Sequence, residues 1–175
     1  MEKLHDIKAA YDDFYRELME RGELPMRDTD AGFWFSSLSD DVVDIFRKIG
    51  LNKADYFLDI GSADGKVTLL ASQFCKNCFG VEYDELLVDK SREMQRKLGI
   101  RNARFFHKDY NDMDFRGFEF LFVYPDQPME RGLEKKLLRE LTGKLVVYGP
   151  HFHPRRLKKI GSFFAGTTFV AVYTR

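Results

Sequence analysis

The chain predicts an α/β fold: a Rossmann-like, doubly wound, mostly parallel sheet of seven strands with a C-terminal antiparallel hairpin and an N-terminal helical extension. Three observations predict it. Strand-like and helix-like segments alternate from residue 56 to residue 148, the pattern of a parallel sheet with right-handed crossovers. A glycine turn within LDIGSADGK, residues 58–66, joins the first of these strands to its helix. An acid, Glu82, ends the next strand-like run, and an acid roughly 20 residues beyond such a turn is the layout of a nucleotide-binding βαβ unit.

The elements follow in order. Residues 3–21 place Leu4, Ile7, Tyr11, Phe14 and Leu18 at helical spacing, an amphipathic helix. Residues 22–37 hold Gly22, Pro25, Gly32 and the cluster Phe33-Trp34-Phe35, and read as a loop packed over a cofactor cleft. Ser39 reads as the cap of a helix at 40–49, with Asp40 and Asp41 in its first turn. Strand 56–60 then leads to helix 65–74, strand 78–82, helix 84–98 and strand 103–107. The link DYNDMDFRGF, 109–118, is too short for a full crossover helix. Strand 118–123, helix 129–141 and strand 143–148 come next, then a short basic helix near 153–159. The end, FFAGTTFVAVYTR, reads as two strands around a Gly166-Thr167 turn.

A chain of 175 residues suits one domain, and 44% hydrophobic with 15% aromatic residues is ample for its core. No repeat or low-complexity linker divides it. The expected organisation is an extension, 1–37, before a cofactor-binding domain, 38–175. Lys plus Arg and Asp plus Glu both total 28. That balance counts against a long nucleic-acid partner, which calls for a basic face, and leaves room for a small RNA target or a local basic patch. No apolar run approaches the ~20 residues of a membrane helix. The charged start, MEKLHDIKAAYDD, lacks a signal-peptide core. A cytoplasmic protein, monomer or homodimer, is expected. Cys75 and Cys78 form a lone CxxC without a second Cys/His pair, so two buried thiols are expected and no metal site.

The loop chemistry selects among cofactors. Gly61 permits the turn and Gly65 permits a close approach of the next helix. The middle glycine of a dinucleotide fingerprint is absent: Ser62, Ala63 and Asp64 stand between them. Asp64 also puts negative charge where a pyrophosphate would lie. A phosphate-binding P-loop fails on spacing, because Gly61 is too near Lys66 and Val67 replaces the Ser/Thr. S-adenosylmethionine has no phosphate; it offers a sulfonium, an ammonium, ribose hydroxyls and adenine. Asp59 and Asp64 can answer the ammonium. Glu82, beside Tyr83, can accept from the ribose hydroxyls. Asp109 can accept from the adenine amino group, with Tyr110 as a flat neighbour. Each acid alone also reads as a solvated loop acid or a helix cap; four at successive strand ends are harder to dismiss.

These residues resemble the class I, seven-strand family of S-adenosylmethionine-dependent methyltransferases. LDIGSADGK is similar to its first motif, VEYD at 81–84 to its second, KDY at 108–110 to its third and FLFVYPDQP at 120–128 to its fourth. The resemblance spans roughly residues 38–175. More narrowly, the chain resembles small archaeal methyltransferases of the protein-lysine type. It implies S-adenosyl-L-methionine as cofactor and a methyl acceptor that is protein or RNA, lysine first.

Methyl transfer is an in-line displacement that needs a positioned, unprotonated nucleophile. A lysine starts near pKa ~10.4 and must first lose its proton. Tyr124, the Pro125 carbonyl and Asp126 can orient the amine, with Asp126 assisting deprotonation; a turn cap is the alternative. Y-P-D replaces the D/N-P-P-Y/F of the family's amino-directed members, which counts against adenine or glutamine as acceptor. Trp34 is a candidate lid or channel wall, or an anchor for the N-terminal helix. His151 and His153, in GPHFHP on an extended segment, fall on one side as candidate substrate contacts. Arg155, Arg156, Lys158 and Lys159 form a basic run that suits solvent, an acidic protein surface or an RNA phosphate. A small-molecule methyltransferase and a non-catalytic cofactor-binding module are the other readings.

Overall fold

Near-continuous burial along the central strands, with successive residues entering different core clusters, shows that the sheet is covered on both faces. In the strand Tyr56–Ile60, Phe57 joins one core cluster and Leu58 the other, as a pleat of period two requires. The computed structural model describes residues 3–29, 32–35 and 37–175, with the side chains of 27, 29, 32–35 and 131 outside that description.

The elements are α1 (Leu4–Glu20), a hairpin of β1 (Met26–Thr29) and β2 (Gly32–Phe35), α2 (Ser39–Ile49), β3 (Tyr56–Ile60), α3 (Lys66–Ala71), β4 (Asn77–Glu82), α4 (Glu85–Lys97), β5 (Ala103–His107), β6 (Phe120–Val123), α5 (Leu133–Glu140), β7 (Lys144–Tyr148), β8 (Lys158–Ala165) and β9 (Thr168–Thr174). The main sheet has seven strands in the order β5-β4-β3-β6-β7-β9-β8. Strands β3 to β7 pair in parallel, and β9 runs antiparallel between β7 and β8. The seven-stranded, mostly parallel sheet with its closing hairpin is the expected fold. Strand order reverses between β3 and β6, which opens a crevice at their carboxyl ends.

One core cluster joins Ile7 and Tyr11 of α1, Phe46 of α2, Leu69 and Leu70 of α3 and Val88 and Met94 of α4 to Phe57, Phe122 and Val146. The other packs Leu133 and Leu137 of α5, with Phe115, on Leu58, Leu121, Leu145 and Val147. Among the described residues no helix is long and apolar enough to cross a membrane.

Four expectations are corrected. Met26–Thr29 and Gly32–Phe35 pair as antiparallel strands, in register from Met26 opposite Phe35 to Thr29 opposite Gly32, where a plain loop was expected. Ser39 is the first helical residue of α2 and Leu38 holds the cap position, with no side-chain cap bond. The run near 153–159 is not helical: Lys158 begins β8, which pairs with β9 from Lys158 opposite Thr174 to Ala165 opposite Thr168. Its lysines suit an exposed edge strand, and cross-strand pairing overrides their helix propensity. The segment expected as helix 129–141 is a 3₁₀ turn, Met129–Arg131, followed after Gly132 by α5. The link from β5 to β6 holds only a one-turn 3₁₀ helix, Tyr110–Asp112, in keeping with its length.

Candidate cofactor and acceptor site

The glycine turn sits where the strand order switches. Three of its residues, Gly61, Ala63 and Gly65, have left-handed backbone, with φ of 72°, 48° and 84°. A glycine is obligatory at 65: a Cβ there would lie 2.6 Å from Ser91 Oγ and 2.8 Å from Phe105. At Gly61 the same atom meets nothing, so only the backbone angle constrains that position. The turn is bolted to β4, because Gly61 N and Ser62 N both donate to the Val81 carbonyl, at 2.9 and 3.0 Å.

Three acids cluster around it. Asp59 is 3% exposed and accepts from Thr68 Oγ1 at 2.8 Å. Burial pushes its pKa up to about 7; the Glu82 and Asp64 carboxylates add to the rise and the Thr68 bond opposes it. Glu82 Oε2 accepts from Ala63 N at 2.9 Å, while Oε1 accepts from Tyr83 N and Asp84 N at 2.7 and 2.9 Å. One carboxylate therefore shapes both the glycine turn and the start of α4, and Oε2 keeps accepting capacity. Asp64 is also buried. Its Oδ2 accepts from the Tyr15 hydroxyl at 2.6 Å and its Oδ1 from Lys66 N at 3.2 Å. Burial raises its pKa, against the Lys66 charge.

Asp109 follows β5 on the neighbouring strand end, where Lys108 N donates to the Glu82 carbonyl at 2.9 Å. It caps the short 3₁₀ turn by accepting from Asn111 N at 2.8 Å, and Tyr110 beside it is half-buried. Tyr83 is exposed. The crevice between β3 and β6 is lined by Ser37, Asp59, residues 61–64, Lys66, Val67, Phe122 and Tyr124. Ser62 Oγ is buried there and has no hydrogen-bond partner among the described residues. An orphaned hydroxyl is costly, and with carboxylates at adjacent strand ends the set of acceptors fits a ligand rich in hydroxyls and amines.

The acceptor side differs. Tyr124, at the carboxyl end of β6, is 43% exposed and stands edge-on to Tyr148, with centroids 4.8 Å apart. Gly149 lets the next loop pass, since a Cβ there would lie 3.0 Å from the Tyr124 ring. Tyr148 is fixed from below by Asp41 Oδ2 at 3.2 Å, and burial pushes its pKa up to about 12. Pro125 is half-buried and Asp126 exposed.

The segment that carries His151 and His153 is not extended as expected, because Phe152 between them has φ of 57°. His153 bridges the Gly149 carbonyl and the Tyr173 hydroxyl, each at 3.0 Å, while His151 is exposed. Trp34 lies in β2, and its expected role at the substrate falls outside the described side chains. Both cysteines are free and buried at the amino end of β4, as expected. Hydrogen bonding to Cys75, with burial adding to it, holds the Cys78 pKa above the usual thiol range.

Sequence reasoning missed Tyr15, Lys66 and Thr68. Tyr11 and Tyr15 carry hydroxyls four residues apart, on the face of α1 that also holds Ile7 and Leu18, and that was the available signal.

Residues 36–128, more than half of the chain, match the family described as histone methylation protein DOT1. The curated 23S rRNA (uracil(1939)-C(5))-methyltransferase RlmD of Aeromonas salmonicida (strain A449) is 30% identical over 106 residues, 57% of this chain. The chain covers 24% of that relative's length. Among solved structures, an RNA methyltransferase from Salinibacter ruber in complex with S-adenosyl-L-homocysteine is similar with a TM-score of 0.65 at 20% identity, over 79% of this chain and 93% of that one. The Pyrococcus abyssi tRNA (uracil-54, C5)-methyltransferase gives 0.62 at 19% identity, over 85% and 44%. The magnesium protoporphyrin IX methyltransferase of Synechocystis PCC 6803, with bound SAM, gives 0.62 at 14%, over 78% and 77%. At such identities the likeness is one of fold. With that fold and the match across the glycine turn, the strand-end acids and Tyr124-Pro125-Asp126, the chain belongs to the DOT1 histone methylation family of S-adenosylmethionine-dependent methyltransferases.

Proposed function

We propose that the chain methylates a side-chain amine of a protein, lysine being the acceptor its chemistry suits best. The observation that carries this reading is the position of its thiols. Carbon methylation of a uracil needs a covalent nucleophile to enrich the ring, a task suited to a thiolate. The sequence has two cysteines, Cys75 and Cys78, both buried. Cys78 lies four residues before Glu82 on β4, about 13 Å of extended strand from the cofactor end. An amine needs no such partner; it needs orientation and loss of a proton.

When bound, S-adenosylmethionine supplies an electrophilic methyl group on a sulfonium. Glu82 Oε2 and Asp109 are the acceptors for ribose and adenine groups, Ser62 Oγ gains its missing partner, and ionised Asp59 faces the ammonium. Asp64 serves the protein itself through Tyr15. Tyr124 lines the same crevice, and exposed Asp126 follows it two residues on. The Tyr124 ring and the Pro125 carbonyl orient the incoming amine, and the Asp126 carboxylate draws off its proton.

RNA is the second reading. It is favoured by the rRNA-modifying relative, the Salinibacter neighbour and the basic run 155–159. Incubation of the chain with methyl-labelled S-adenosylmethionine and an extract of its source cells separates the two. Label destroyed by protease, resistant to RNase and recovered as methyllysine is the expected result. RNase-sensitive label would overturn the lysine assignment.

A further inference from the structure

We infer that Tyr11 and Tyr15 of α1 are positioning residues for the cofactor loop, so that docking of the N-terminal helix and binding of S-adenosylmethionine form one equilibrium. The inference rests on the glycine turn being the cofactor's seat.

Asp64 lies between two left-handed residues, Ala63 and Gly65. Ala63 has a side chain that disfavours that backbone, so its neighbours must be held. On one side they are held by β4 and α4: Ala63 N donates to Glu82 at 2.9 Å, and Ser91 Oγ donates to the Ala63 carbonyl at 2.9 Å. On the other side the restraint comes from α1. The Tyr11 hydroxyl donates to the Asp64 main-chain carbonyl and the Tyr15 hydroxyl to its carboxylate, each at 2.6 Å. Main chain and side chain of one loop residue are thus fastened to one helix face.

Lys66 strengthens the junction. Its Nζ lies 4.7 Å from the centroid of the Tyr15 ring and donates to the carbonyl of Ser37, just after the β1–β2 hairpin. Lys66 and Ser37 are both buried and both line the crevice. The extension therefore meets the cofactor loop at two places. A ligand that favours the ordered loop must favour the docked helix, and the converse holds by linkage.

The test uses the full chain. Calorimetric titration with S-adenosylhomocysteine is run on wild type, Tyr15→Phe and Tyr11→Phe; each variant keeps its ring and loses one hydroxyl. Tyr15→Phe, which loses a bond to a charged group, should weaken binding by about tenfold. Tyr11→Phe should weaken it less. The KM for S-adenosylmethionine should rise in step while the acceptor KM stays put. Wild-type Kd in both variants, even with lowered melting temperatures, would reduce the two hydroxyls to fold support and overturn the inference. Hydrogen exchange on wild type tests it without any substitution: S-adenosylhomocysteine should slow the amides of α1, and unchanged exchange would also overturn it. Failure of wild type to bind would sink the cofactor seat, and this inference with it.

Discussion

The carboxyl end of the sheet has two halves of opposite character. At β3 and β4 the candidate acids are buried: Asp59 and Asp64 are 3% exposed and Glu82 8%. Each already holds a defined set of hydrogen bonds. At β6 and β7 the corresponding groups, Tyr124, Asp126 and His151, face solvent. One half is fixed by its own hydrogen bonds, and that order is costly to build from buried charge. The other is an open rim that one fold can adapt to different acceptors. The largest predicted effect lies in the rigid half. Gly65→Val should abolish S-adenosylhomocysteine binding and cost on the order of 3 kcal/mol of stability, because the added side chain meets Ser91 and Phe105 as well as a forbidden backbone angle. Gly61→Val should spare more stability, since its surroundings are open. Urea unfolding and calorimetry read both, and equal losses at the two positions would remove the steric distinction.

The open rim should respond in rate rather than affinity. Asp126→Ala is expected to leave S-adenosylhomocysteine binding near normal while slowing turnover at least about tenfold, ~1.4 kcal/mol in the barrier. Weakened cofactor binding with normal turnover would place Asp126 in the wrong half.

The same division governs what the sequence disclosed. The turn in LDIGSADGK and the strand-end positions of Glu82 and Asp109 were legible because their signal is local: a turn, its spacing and acids at successive strand ends lie within neighbouring βαβ units. The strands from 56 to 148 were legible for the same reason. The hairpin at 26–35 was not, because its strands are only four residues each and hold an aromatic run that a loop would also explain. The run near 153–159 reads as a short basic helix until the pairing of Lys158 and Lys159 with β9 is known, although the two strands around the Gly166-Thr167 turn were legible. The bond between Asp64 and Tyr15 was not legible, because nothing in the sequence brings Tyr15, 49 residues earlier, to that carboxylate.

A smaller effect comes from pH. Asp59 has its folded pKa raised to about 7 from 3.8. The folded chain therefore holds a proton that the unfolded chain releases, and stability should fall as pH rises from about 4 to about 7. Ligand binding should run the other way, because an ionised Asp59 attracts the ammonium of S-adenosylhomocysteine. Affinity should tighten by about fivefold between about pH 6 and pH 8. Asp59→Asn should flatten both dependences; a pH profile that survives that change would assign them to another group.

The smallest expected effect decides between acceptors. Lys158 and Lys159 open the exposed edge strand β8, and among the described residues neither has a carboxylate partner. Their removal should shift stability by less than about 0.5 kcal/mol. With a protein lysine as acceptor, Lys158→Ala/Lys159→Ala should change the labelling rate by less than about twofold and leave its salt dependence alone. An RNA acceptor held through these side chains behaves differently. For every phosphate that no longer meets a lysine, one fewer counterion is released on binding, and the slope of log K against log salt falls by about one. A reduced slope in the double variant, with the label sensitive to RNase, would move the basic run from a solvated edge into the working surface. It would also overturn the lysine assignment.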